Sequence, residues 1–277
     1  MKLHGKTVLV TGATDGVGRY VALKLATAGA RVIVHGRDRE RARSLVDEIT
    51  AAGAGSAAIH IADFASLDEV RRFANAVSDS ESGLDLLLNN AGIGSQTGGA
   101  MRQISLDGFE LRFAVNYLSH FLLSYLLLPL LRSRPSSRIV NVASLGQSPI
   151  DFADVMLERR YDGWRAYGQS KLSQIMFTID LAKELEPSGI TVNALHPATY
   201  MNTTMVRVAG TTPTSTVEEG GDAILRLATA ADLSNTTGRF FNGLLPAKPH
   251  AQAADDGARA RLRALSLELV GLGSRPH

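Results

Sequence analysis

The sequence predicts one α/β domain built on a doubly wound parallel sheet flanked by helices. Three observations carry that prediction. Short apolar, β-rich runs alternate with helical stretches five times before a sixth run closes the series, the order that produces a parallel sheet with right-handed crossovers. The first run, Thr7 to Val10, passes directly into Thr11-Gly12-Ala13-Thr14-Asp15-Gly16-Val17-Gly18 and then into a helix. The runs end at Gly12, Gly36, Asp63, Asn90, Ser144 and Pro197, and in a doubly wound sheet all such carboxyl ends line one crevice.

Each element has its own signal. After the glycine turn, Val21, Leu23, Leu25 and Ala26 suit a helix laid on a sheet, and Gly29 ends it. The glycines permit a tight turn and let a phosphate approach bare backbone N–H groups at a helix N-terminus. Gly12-x-x-x-Gly16-x-Gly18 departs from the common dinucleotide spacing Gly-x-Gly-x-x-Gly, and Asp15 within it weighs against an adjacent phosphate. Arg31 to His35 is the second strand. It arrives at Gly36-Arg37-Asp38, where a small residue followed by arginine leaves room and charge for a ribose 2′-phosphate, so the pattern leans to NADP(H) over NAD(H). The alternative is that Arg37, Arg39, Arg41 and Arg43 only decorate a solvated helix. Asp38 caps a helix through Ile49. Ala57 to Ile61 is a third strand ending at Asp63-Phe64, where Asp63 either accepts from an adenine amine or caps the next helix.

Leu84 to Leu88 is a fourth strand leading to Asn89-Asn90-Ala91-Gly92, a turn of amides and small residues suited to a flat ring. Gly108 to Leu131 reads as one long helix with Asn116 buried among apolar neighbours; an unpaired amide there would cost about 1–3 kcal/mol. Arg138 to Ala143 is the fifth strand, stopped at Ser144. After an insertion, a helix carries Tyr167-Gly168-Gln169-Ser170-Lys171 and runs to about Glu186, and Gly189 to Leu195 is the sixth strand. The polar stretch 198–216 has no period and is expected to be a flexible substrate loop over the crevice. Val217 to Ala228 is helical, Gly238 to Phe241 a short last strand, Pro246 to Pro249 a turn, and 258–270 an amphipathic closing helix.

Tyrosine and lysine four apart share a helix face. A phenol needs about 4 kcal/mol of preferential anion stabilisation to titrate near ~7 instead of ~10, and an adjacent ammonium supplies part of it. Ser144 at the neighbouring strand end is placed to hold a carbonyl or alcohol oxygen while Tyr167 moves a proton.

Length and composition set bounds. At 277 residues and 45% hydrophobic, the chain has core enough for a single domain over 1–277. Charged residues are 20% and the net charge is +2, so neither nucleic acid nor a membrane surface is implied as a partner. Without cysteine there are no disulfides or thiolate sites, and the seven histidines lack metal-ligand spacing, so no metal is expected. The N-terminus runs straight into a strand, and the apolar run Leu118 to Leu131 is broken by polar residues and Pro129; it falls short of the ~18–20 residues of a bilayer span. A cytoplasmic location is expected.

The segments Thr11 to Gly18, Asn89 to Gly92 and Tyr167 with Lys171 resemble, over nearly the whole chain, the short-chain dehydrogenase/reductase family. Asn116 to Phe121, Arg159 to Tyr167 and Ala264 to Val270 resemble its retinol-dehydrogenase-like branch in particular. The resemblance implies a Rossmann-type fold and a tetrad. In it Tyr167 is the acid/base, Ser144 holds the substrate oxygen, Lys171 lowers the tyrosine pKa and binds the nicotinamide ribose, and Asn116 supports a water relay. Cofactor contacts are expected at Gly12, Thr14, Asp15, Gly16, Val17, Gly18, Arg37, Asp63, Phe64, Asn90, Ala91, Gly92, Tyr167, Lys171 and Pro197. Pro197-Ala198 replaces the family's Pro-Gly and Asn202-Thr203 shifts its threonine, leaving open which of the two meets the nicotinamide. A homodimer or homotetramer through the helices Leu118 to Leu131 and Tyr167 to Glu186 is implied as well. The expected activity is NADP(H)-dependent carbonyl/alcohol oxidoreduction, the alternatives being an NAD-dependent alcohol dehydrogenase and a non-catalytic nucleotide-sensing protein.

Overall fold

The strands alternate their side chains between two cores, which is what fixes the layers. In the computed structural model, which describes residues 2–53, 55–97 and 101–273, the described strands form one sheet in the order β3-β2-β1-β4-β5-β6-β7-β8. They are β1 (Thr7–Val10), β2 (Arg31–Gly36), β3 (Ser56–Ile61), β4 (Leu86–Asn89), β5 (Arg138–Val142), β6 (Thr191–His196), β7 (Phe240–Asn242) and β8 (Leu245–Ala247). All neighbours are parallel except β7 and β8. Val8, Val10, Val32, Val34, Leu86 and Leu88 face one core. Leu9, Ile33, Leu87 and Ile139 face the other, as the two-residue strand period requires.

On the first face lie α1 (Gly16–Thr27), α2 (Arg39–Ala52) and α8 (Val217–Thr229). On the second lie α3 (Leu67–Ser80), α4 (Ser119–Leu126), α5 (Leu128–Arg132), α6 (Gly163–Leu185) and α9 (Asp256–Leu269). Capping explains the starts: Asp15, Asp38, Ser66, Asp162, Thr216 and Asp255 each accept an N–H in the first turn. The chain leaves β1 toward β2 and β3 on one side and returns through β4 to β5 and β6 on the other. The crevice therefore opens at the carboxyl ends of β1 and β4.

Three expectations are corrected. The helix expected from Gly108 starts later, because Gly108 takes φ +84 in a turn closed by the Ile104–Glu110 bridge. It opens as a π-helix over Phe113–Leu118 and breaks at Leu127, ahead of Pro129. The stretch 198–216 is not a structureless loop. It contains the short helix α7 (Thr204–Val208), capped by Thr203, and a Met201–Ser215 bridge. The expected turn at Pro246 is β8, an edge strand where proline is tolerated, paired antiparallel with β7.

Helix α9 packs on α6 and on the π-helix that precedes α4: Tyr117 Oη meets Ser266 Oγ at 2.7 Å, Arg259 pairs with Asp180 at 2.7 Å, and Arg263 with Glu184 at 3.0 Å.

Candidate active site

The carboxyl edge of the sheet presents, in spatial order, Asp63 after β3, Arg37 after β2, the glycine turn after β1, Asn90–Gly92 after β4, Ser144 after β5 and Pro197 after β6. The turn is held from beneath. Thr11 Oγ1 accepts from the amides of Asn90 at 2.8 Å and Ala91 at 2.9 Å, and Asn90 Nδ2 donates to Thr11 O and Gly12 O. Gly12, at φ +63, leaves no room for a side chain, since a Cβ would stand 2.8 Å from Ala91 Cα.

Two histidines that sequence reasoning passed over complete this support. His35 Nδ1 accepts from Gly12 N at 3.2 Å, so its other nitrogen carries the hydrogen and donates to Ala62 O at 3.2 Å. His120 Nδ1 lies 3.0 Å from Asn116 O, a carbonyl that only accepts, so Nε2 is the bare nitrogen facing Thr11 Oγ1 at 3.2 Å. Burial pushes both imidazoles down to about 3, and they stand neutral. His120 follows Asn116 by one helical turn, which was the only local clue to it.

Ser144, Tyr167, Lys171 and Asn116 come together, as expected. Ser144 and Tyr167 both flank Gly146, where a Cβ would lie 3.4 Å from Ser144 Oγ and 3.8 Å from Tyr167 Cε1, and Ser144 Oγ accepts from Gly146 N at 3.0 Å. Asn116 finds the partners its burial demanded: Oδ1 accepts from Ile93 N at 2.8 Å, and Nδ2 donates to Ile93 O and Ser170 Oγ. A Cβ on Gly92 would lie 3.2 Å from Asn116 Oδ1 and 3.7 Å from Lys171 Nζ, so Gly92 leaves the space between them clear.

The electrostatics differ from expectation. Lys171 Nζ stands 5.7 Å from the centre of the Tyr167 ring and donates to Val142 O and Gln174 Oε1, each at 2.9 Å. Burial draws it down to about 7. Burial likewise pushes the Tyr167 phenol up, with the neighbouring Ser144 hydroxyl opposing. The ammonium is turned to the strand carbonyl and to Gln174.

Other expected contacts sort unevenly. Asp15 caps α1 through Gly16 N at 2.8 Å and lies 3.5 Å from Arg41. Arg37 is exposed and lies 3.8 Å from Asp63. Asp63 does not cap α3, which Ser66 does; its Oδ1 accepts from Ala65 N instead. The Phe64 ring is buried against His35 at 4.0 Å and turned into the core, so its side chain does not face the crevice. Thr14 fills the space beside Gly36, where a Cβ would meet its Oγ1 at 2.7 Å. Val17 is buried under the turn, Gly18 packs against Gly12 O, and Pro197 is buried at the end of β6. Of the shifted pair, Thr203 sits against the glycine turn, its Cγ2 3.1 Å from where a Gly16 Cβ would be, while Asn202 accepts from Arg207 at 2.7 Å. His196, 3.0 Å from Thr199 Oγ1, is lowered to about 4 by burial and the Lys171 charge.

The donor set fits a dinucleotide. Arginines stand at one end of the edge, a glycine turn opens α1 in the middle, and the Tyr167–Lys171 pair closes the other end. A parallel sheet with that edge defines a nicotinamide-dependent oxidoreductase. The family model described as short chain dehydrogenase matches residues 6–213, and the chain belongs to that family.

Human "Retinol dehydrogenase 13" is 38% identical over 98% of this chain and 86% of its own length. Human "Retinol dehydrogenase 14" is 35% identical over 98% and 88%. A solved structure of an uncharacterized protein from Mycobacterium Paratuberculosis matches with TM-score 0.80 and 32% identity over 98% of this chain and 95% of that one. The Pseudomonas aeruginosa RhlG/NADP active-site complex matches with TM-score 0.69 and 30% identity over 87% and 95%.

Proposed function

We propose that the protein is an NADP(H)-dependent oxidoreductase acting on an apolar ketone or aldehyde and the matching alcohol. The observation that carries this reading is the gathering of Ser144, Tyr167 and a buried Lys171 at the edge that also presents the glycine turn and Arg37. NADP(H), when bound, supplies or accepts the hydride. Tyr167 gives a proton to the carbonyl oxygen in reduction and takes it back in oxidation; Ser144 holds that oxygen by a hydrogen bond. Lys171 holds the nicotinamide ribose and carries the cationic charge beside the phenol. Asn116 fixes the backbone of Ile93 and supports a proton relay toward Lys171.

Arg37 and Arg41 favour a 2′-phosphate, and the named complex of a 30% identical neighbour contains NADP. The apolar substrate class follows from the exposed Leu145, Trp164, Tyr200, Met205 and Val208 on the segments that flank the crevice, and from relatives named for retinol. We also propose a monomer, since α9 takes the face that α4 and α6 would offer a partner; light scattering decides it.

The test is oxidation of NADPH and NADH over a panel of ketones, aldehydes and retinaldehyde. Tyr167→Phe should lose about 10²–10⁴-fold in kcat while binding NADPH within about twofold of the parent. Full activity in that variant would sink the reading. Arg37→Ala should weaken NADPH binding by about tenfold or more with little change for NADH. Gly36→Asp is a poor cofactor switch here, because any side chain at 36 runs into Thr14.

A further inference from the structure

Gln174 stands one turn beyond Lys171 on α6, buried, with Oε1 accepting from Lys171 Nζ at 2.9 Å. The Nε2 of the same amide is buried without a partner among the described residues. An unpaired buried donor costs about 1–3 kcal/mol, and a leucine of similar size would carry no such cost. The lysine dictates which way the amide faces, since reversing it would set N–H groups against the ammonium. The helix is pinned at this level by a buried polar seam. Thr178 Oγ1 donates to Gln174 O at 2.8 Å and accepts from Asn141 Nδ2 at 2.8 Å, and Asn141 Oδ1 accepts from Asn89 Nδ2 at 2.8 Å. Gln174 therefore cannot drift from the ends of β4 and β5.

We infer that Gln174 is a positioning residue for Lys171: with Val142 O it forms a two-acceptor cradle that keeps the ammonium charged and leaves its remaining N–H for the crevice side, toward Gly92 and Asn116. The inference rests on the reading of Lys171 as part of the catalytic set. The titratable groups facing Nζ are Tyr167 on α6, His120 on α4 and His196 at the end of β6. Both histidines are held neutral, at about 3 and about 4, so the charge is stabilised by the two carbonyl dipoles. Burial alone brings Lys171 to about 7, and losing one acceptor therefore changes its charge near neutral pH.

The experiment follows the lysine Cε resonances by ¹³C NMR across pH 5–11, with Lys171 assigned by its loss in Lys171→Arg, in the parent, Gln174→Leu and Gln174→Glu. Removing the acceptor should move the Lys171 titration down by about one pH unit, and a carboxylate in its place should move it up by a similar amount. The alkaline fall of kcat/KM for carbonyl reduction should follow in the same two directions. A role confined to packing would lower stability in both variants and move neither titration. Lys171 titrating within about 0.2 unit of the parent in both variants overturns the inference, and Gln174→Glu alone decides it should Gln174→Leu not fold. The NMR titration does not need turnover, so absence of activity in the parent over the whole carbonyl panel would count against the proposed function and leave the cradle to be judged separately.

Discussion

The two ends of the crevice are built in opposite ways. At the cofactor end, Thr11, His35, Asn90 and His120 are locked into one hydrogen-bonded cluster, with Thr11, His35 and His120 buried. At the substrate end, α7 has no buried residue, and Tyr200, Met205 and Val208 are exposed. A turn that must meet a cofactor the same way each time gains from rigidity, whereas a cover that admits and releases substrate gains from few buried contacts. The comparison predicts that damage at the first end is read in stability, and at the second in KM.

The largest effect should come from acid. His35 and His120 stay neutral in the folded chain down to about 3, whereas the unfolded chain protonates them near ~6.5. Their contribution is complete above pH 6.5 and is lost progressively as pH falls from there toward 3, by up to about 1.4 kcal/mol per unit for each histidine. Urea unfolding at pH 7 and pH 5 should differ by several kcal/mol, and His35→Gln should make the dependence shallower. An unchanged slope in that variant would show that the rigidity of the cofactor end lies elsewhere.

Next comes Thr11→Val. It removes the acceptor for the amides of Asn90 and Ala91 and the donor to His120 while keeping the shape. A loss of about 2–4 kcal/mol is expected from two orphaned amides, together with weaker NADPH binding. A loss below about 1 kcal/mol would break the contrast, since the hub would then be no more costly to damage than an ordinary surface residue.

The same contrast explains what the sequence made legible. The glycine turn, the cap at Asp38 and the Tyr167–Lys171 pair are written in residues a few positions apart, and local spacing is what a sequence displays. The partners of Thr11 and Gly12 are not: His120 is 109 residues from Thr11 and His35 is 23 from Gly12. The direction of the Lys171 ammonium is hidden for a related reason. Spacing placed an ammonium nearby, but the direction of Nζ was set by a strand carbonyl and by Gln174, which the Tyr-x-x-x-Lys pattern does not include. The inward turn of the Phe64 ring is equally hidden, because a residue at a strand end can turn inward as readily as outward. Helix α7 was missed because five residues without a buried face leave no period to read.

The smallest effect in free energy should be Gly94→Ala, at the place where the cover meets the loop after β4. A Cβ on Gly94 would stand 2.9 Å from Met205 Cγ. Gly94 is not among the positive-φ glycines, so alanine brings no backbone strain. The obstacle is a flexible methionine on an exposed helix, so the clash is relieved by lifting Met205 and with it α7. Stability should change by no more than about 0.5 kcal/mol. The KM for the carbonyl substrate should rise by about two- to fivefold with kcat nearly unchanged, because the cover contributes binding and not proton transfer. Steady-state kinetics beside a urea titration checks both halves. A stability loss above 1 kcal/mol would show α7 to be packed as firmly as the glycine turn, and an unchanged KM would show that the cover does not touch what the enzyme binds.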